Sequence, residues 1–255
     1  NLLRAMLAHK GIEAHLVLLD TRGMGRIERS SPAWLQFNHV ILAVGSGAEG
    51  YLFCDPTVER LPAGSVGMHD LARDVLIVKQ GRAEWVHTPD TLDSSIRIRA
   101  DLALAPDGGL SGWLTFGGTG SDAAYYATYF HGLDRDERLR RMQEYAGEFF
   151  PGAAVMDIDY SPPSNAVREM SIRAYLVRPP RAADEQIITF PFPAAWLPAA
   201  NTSGERRFPY TTSRREETAT VTITLPENWT ARTIPAPFSA TSEIAHFTAR
   251  WSVQP

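Results

Sequence analysis

Two apolar runs joined by a short glycine-containing connection constrain this chain more than any other feature. Phe37-Asn38-His39-Val40-Ile41-Leu42-Ala43-Val44 has the length of a strand, Gly45 to Glu49 turns the chain, and Gly50-Tyr51-Leu52-Phe53-Cys54-Asp55 returns it. Runs of this kind read as the two arms of an antiparallel β-hairpin. If Val44 pairs with Gly50, His39 stands directly opposite Asp55, with side chains on one face and Cβ atoms about 5 Å apart. Asn38 and Cys54 then point to the other face, and a slip of one residue would separate the pair. An imidazole held by a carboxylate is the base and orienter of a nucleophilic triad, because the carboxylate fixes the tautomer and stabilises the imidazolium. The same spacing also suits an ordinary cross-strand surface pair.

Strand signals continue on both sides of this hairpin. His15-Leu16-Val17-Leu18-Leu19 precedes it, after a helix-like run in which Leu2, Leu3, Met6 and Leu7 share one face and Gly11 suits the left-handed position past a helix end. The stretch from Asp20 to Ala33 is polar and Gly-rich, as a loop would be. Asp74 to Val78 is a further strand, and after Lys79-Gln80-Gly81-Arg82 the pattern changes. Ile96, Ile98, Ala100, Leu102 and Leu104 alternate with polar or small residues, Pro106-Asp107-Gly108-Gly109 turns the chain, and Leu110 to Phe116 returns. Val155–Tyr160, Val167–Val177, Ala219–Leu225 and Ile244–Val253 read similarly. One helix interrupts them: Asp134-x-x-Glu137 forms a capping box, Leu139, Met142, Tyr145, Ala146 and Phe149 make its apolar stripe, and Pro151-Gly152 ends it. These signals predict an α+β chain, with a helix and antiparallel sheet over residues 1–78 and an antiparallel β-sandwich with one or two helices over residues 79–255.

Composition removes several function classes. With 25 Lys+Arg against 29 Asp+Glu the net charge is −4, and neither region is basic, so nucleic acid is not an expected partner. No apolar run approaches the roughly 20 residues a membrane helix needs, so no membrane insertion is expected. A single Cys excludes an internal disulfide framework and any multi-Cys zinc site. No zinc-type ligand spacing is present; His69 could join His39 and Asp55 around a metal but reads better as a surface residue. No cofactor is expected.

The blocks Leu2-Leu3-Arg4-Ala5-Met6-Leu7, Gly11-Ile12-Glu13-Ala14, Val17-Leu18-Leu19, Phe37-Asn38-His39-Val40-Ile41 and Asp55-Pro56-Thr57, in this order, resemble the transglutaminase-like superfamily, papain-related enzymes with a Cys-His-Asp triad. The resemblance covers about residues 1–78 and implies the C-terminal part of such a core, with His39 as triad base and Asp55 as its partner. It also implies that the nucleophilic Cys opens a helix that this sequence enters part-way, a few residues before Asn1, so that the 255 residues alone would be inactive. Cys54 does not replace it, because strand alternation turns it away from Asp55. By resemblance the reaction is acyl transfer on a protein or peptide substrate, with transamidase, protease and amidase all open. An exported or periplasmic bacterial setting accords with the resemblance, and no targeting segment fixes it. A different class stays open beside this one: a non-catalytic β-rich binding or structural module carrying a degenerate triad.

Other motifs have plainer readings. Gly118-x-Gly120-x-x-Ala123 echoes a dinucleotide fingerprint but lacks a βαβ unit to place a pyrophosphate at a helix N-terminus. Asn201-Thr202-Ser203 and Asn228-Trp229-Thr230 match the glycosylation triplet at about chance frequency. Tyr125, Tyr126, Tyr129 and Phe130 read as a core-facing segment, and Arg206-Arg207 and Arg214-Arg215 as solvated charges.

Overall fold

A computed structural model describes residues 2–21, 27–30, 33–45, 50–67, 69–90, 94–160, 169–180, 216–243 and 245–253. Parts of the expected loop over 20–33 and turn over 45–49, the triplet at Asn201, and the Arg206-Arg207 and Arg214-Arg215 pairs lie outside the described residues.

The chain opens with helix α1 (Leu2–His9), which ends where Gly11 takes a φ of +72°. There the Ile12 N–H reaches back to the Leu7 carbonyl, closing the last turn. A five-stranded sheet follows, built from β1 (Ala14–Leu19), β2 (His39–Val44), β3 (Leu52–Cys54), β4 (Asp74–Lys79) and β5 (Arg82–His87). Its order is β3-β2-β1-β4-β5, with every neighbouring pair antiparallel. One face buries Val17, Leu19, Ile41, Ala43, Phe53, Val75 and Ile77, and the segment after β3 lays Val66 and Leu71 over them. The first sheet runs past residue 78, where the sequence pattern had ended the first region. Lys79 pairs with Arg82 across Gln80-Gly81, with Gly81 at a φ of +72°, so what reads as a change of pattern is a tight hairpin turn that adds β5.

The second region forms another five-stranded sheet. Its strands are β6 (Ser95–Leu104), β7 (Leu110–Thr119), β8 (Ala154–Asp159), β9 (Glu169–Arg178) and β10 (Glu216–Thr224), in the order β10-β6-β7-β9-β8. Ile96, Ile98, Ala100, Leu102 and Leu104 are buried on one face while Arg97, Arg99 and Asp101 point outward, as the alternation demands. Helices α2 (Gly120–His131) and α3 (Arg135–Phe149) cover the buried face. Ala123, Ala127 and Phe130 of α2 and Met142, Ala146 and Phe149 of α3 share one core with the strands. The capping box at α3 is formed: Asp134 accepts from the Glu137 N–H at 2.9 Å and Glu137 accepts from the Asp134 N–H at 3.2 Å. A short ribbon, β11 (Phe238–Thr241) with β12 (His246–Ala249), stands apart from both sheets.

The α+β class, with antiparallel pairing predominant, is what the chain adopts. Two details differ from a sandwich. Among the described residues, helices rather than a second sheet cover the apolar face, because the aromatic run Tyr125–Phe130 is helical and places Phe130 inward. Strand β10 runs parallel to β6, a pairing that needs a long connection, and residues 179–215 intervene before it. The regions touch where the Thr128 hydroxyl on α2 donates to the Glu59 carbonyl at 2.8 Å. No helix among the described residues is long and apolar enough to cross a membrane.

Two glycines make the packing testable. Gly112, opposite Leu102 on β7, has a φ of +152°, and a Cβ there would sit 2.2 Å from the Asp101 carbonyl oxygen on β6. Gly147 lies in α3 with nothing within 4 Å of such a Cβ. Gly112→Ala should destabilise the protein by about 2 kcal/mol or more, whereas Gly147→Ala should stabilise it by roughly 0.5–1 kcal/mol through helix propensity. Urea unfolding of both variants checks this; similar effects at the two sites would contradict the close approach of β6 and β7.

Candidate active site

The β2–β3 hairpin brings His39 and Asp55 together, through a register that differs from the expected one by two residues. Leu42 pairs with Cys54, Ala43 with Phe53 and Val44 with Leu52. An even slip leaves every side chain on its face, so His39 stays on the face of Asp55 and Cys54 stays on the other. Asp55 lies just past the end of β3, and its Oδ2 reaches the His39 Nε2 at 3.2 Å. The carboxylate side chain is 1% exposed and the imidazole 20% exposed.

Local hydrogen bonds hold both partners. Thr57 donates its N–H at 2.9 Å and its hydroxyl at 2.7 Å to the Asp55 Oδ1, so one carboxylate oxygen is committed to the turn and the other is aimed at the ring. His39 pairs with Leu19 on β1, and Asn38 just before it donates its N–H to the Leu19 carbonyl at 3.1 Å. The Asn38 side chain then accepts from the Thr21 N–H at 2.8 Å. Carboxylates only accept, so Nε2 carries the proton in this contact. That leaves Nδ1 as the basic nitrogen, with no partner among the described residues.

A third group, Asp70, joins them. Its Oδ2 lies 3.8 Å from the same Nε2, its side chain is 5% exposed, and its ligand oxygen is within 4.8 Å of that of Asp55. Oδ1 of Asp70 is buried with no hydrogen-bond partner among the described residues. Packing of the 56–73 segment, not local sequence, places this residue. The Asp70 N–H donates to the Gly67 carbonyl at 2.9 Å, and its own carbonyl accepts the Thr88 hydroxyl at 2.6 Å. The neighbouring His69, weighed from the sequence as a ligand, is exposed. Asp70 had no sequence signal beyond its place beside Leu71, a core residue. Cys54 is half-buried rather than buried.

Burial is the main force on Asp70 and pushes its carboxyl up to about 6. The positive side of His39 and of Arg73 works against that rise, and the Asp55 carboxylate adds to it. Arg73 itself is tied to the end of β1, donating to the Asp20 carbonyl at 2.7 Å and to its carboxylate at 3.1 Å. Chemically, the cluster can orient an imidazole, take up a proton on Nδ1, or present three donor atoms to a cation, the three lying within 4.8 Å of one another.

Because the folded state holds the Asp70 proton more tightly than the unfolded chain, stability should fall as pH rises from the ordinary value of 3.8 to about 6 and level off above it. Asp70→Asn should remove this slope. In chelating buffer, the stability of the native protein relative to the variant should drop by on the order of 3 kcal/mol across that window; a difference independent of pH would contradict the burial of an ionisable Asp70.

No family model, curated protein or solved structure matches this chain.

Proposed function

We propose that His39 and Asp55 are the base and orienting carboxylate of a cysteine-dependent acyl-transfer site acting on protein or peptide substrates. The observation that carries this reading is the buried Asp55, fixed by Thr57 and hydrogen-bonded to the Nε2 of a partly exposed imidazole. The resemblance of residues 1–78 to the transglutaminase-like superfamily supports it.

In the proposed reaction, Nδ1 takes the thiol proton and the thiolate attacks the carbonyl carbon of a carboxamide or peptide. The C–N bond breaks, the imidazolium returns its proton to the leaving amine, and a thioester remains. An incoming amine or water gives its proton to Nδ1 as it attacks the thioester, and the thiolate leaves to recover that proton. Asp55 keeps Nε2–H in place throughout and stabilises the imidazolium. Cys54 does not supply the thiol, since it pairs with Leu42 on the face turned away from His39. The thiol in this proposal comes from a segment outside these 255 residues, and the chain alone has no turnover. The same orientation of Cys54 favours a second reading for the isolated chain, a binding module that keeps the dyad without its nucleophile.

Nitrogen NMR of the metal-free chain should find His39 protonated at Nε2 and unprotonated at Nδ1. In a polypeptide that also contains the thiol segment, His39→Ala should abolish labelling by a thiol-directed substrate analogue, and Asp55→Asn should slow it by roughly 10²–10⁴-fold. Labelling unchanged in both variants would overturn the acyl-transfer reading in favour of the binding module.

A further inference from the structure

We propose that His39, Asp55 and Asp70 form a binding site for a first-row transition dication of the zinc class. The donor set is one imidazole nitrogen and two carboxylate oxygens on the core face of the first sheet, all within 4.8 Å of one another. Bonds of about 2.0–2.2 Å to a tetrahedral ion place neighbouring ligand atoms about 3.3–3.6 Å apart. From the His39 Nε2 the two carboxylate oxygens lie at 3.2 and 3.8 Å, so these two edges need only tenths of an ångström of adjustment, and the edge between the carboxylates is within 4.8 Å.

An independent observation points to a missing partner. Asp70 is 5% exposed on its side chain, and its Oδ1 is buried without a hydrogen bond among the described residues. A buried carboxylate with one oxygen in this state is costly, and a cation that Asp70 chelates through Oδ1 as well as Oδ2 satisfies it. Charge agrees: two buried carboxylates beside a neutral imidazole sum to −2, which a dication cancels. The ligand class follows from the donors. Magnesium and calcium ask for six or more oxygen ligands, whereas one nitrogen and two oxygens suit zinc and its neighbours. Outer support is in place, because Thr57 occupies the Asp55 Oδ1 and leaves Oδ2 to coordinate through one oxygen. A metal on Nε2 requires that nitrogen unprotonated, so the ion and the Nε2–H to Asp55 bond exclude one another. Binding is read directly and does not depend on acyl transfer.

The test is titration of the chelator-stripped full chain with Co²⁺, followed by displacement with Zn²⁺. Intense visible bands of tetrahedral cobalt should appear and saturate at one equivalent, with a zinc Kd below about 10 µM. His39→Gln and Asp70→Asn should each weaken binding by about 100-fold or more. Cys54→Ser and His87→Ala, which alter a thiol on the other face and an exposed His–Asp pair, should leave the bands unchanged. Circular dichroism establishes that each variant is folded, and His39→Gln, at a partly exposed position, serves if Asp70→Asn is not. Absence of saturable binding, or binding untouched by His39→Gln in the folded protein, would overturn the proposal.

Discussion

Period-two alternation along β2 and β3 is the constraint on which the site depends. His39 shares its face with Ile41 and Ala43, so its ring lies on the side of the sheet that carries Val17, Leu19 and Phe53 and is only partly exposed. Asp55 follows Phe53 by two residues and takes the same face. The observed register moves the partner strand by one full repeat relative to the simplest pairing, and a repeat is the smallest slip that leaves the chemistry intact. A slip of one would have put Cys54 on the face of His39 and turned Asp55 away.

Placing carboxylates in that layer has electrostatic consequences that the surrounding residues answer. Asp55 receives two donors from Thr57 and a third from the ring. Asp70 receives less: its backbone is anchored by Gly67 and Thr88, while its carboxyl leans on Asp55 and faces His39 and Arg73 from a distance. Two carboxylates this close, taken out of water, need positive charge between or beside them. The raised Asp70 carboxyl is the metal-free answer at acid pH: below about 6 a proton stands where a charge would otherwise be.

How much of this was legible in the sequence follows from how local each feature is. The helix at Asp134 was legible to the atom, because a capping box is four consecutive residues whose hydrogen bonds need no other part of the chain. The strand β6 was legible because its alternation reports burial directly. The pairing of His39 with Asp55 followed from parity, which survives an even error in register. Strand β5 was hidden because a turn as short as Gln80-Gly81 resembles a break between regions. Helix α2 was left open between helix and strand because its run of aromatics suits both, and packing against the sheet decides between them. Asp70 was hidden for a deeper reason: fifteen positions beyond Asp55 in the chain, it reaches the site only because Val66 and Leu71 fold their segment over the sheet.

The position of Asp70 also couples the two proposed uses of the cluster. With a proton on Nε2, Asp55 orients the ring and Nδ1 is free to accept a proton from a thiol. With a cation on Nε2, the neutral ring carries its proton on Nδ1, and the same imidazole has no basic nitrogen left. Base chemistry and metal binding then draw on one lone pair and cannot coexist. An enzyme built only for acyl transfer needs one carboxylate beside its histidine. A second, buried with an oxygen unsatisfied, adds nothing to proton transfer at Nδ1, because it lies on the Nε2 side of the ring. Its placement therefore bears on what occupies Nε2, and the competition between proton and dication at that atom decides which chemistry the fold presents.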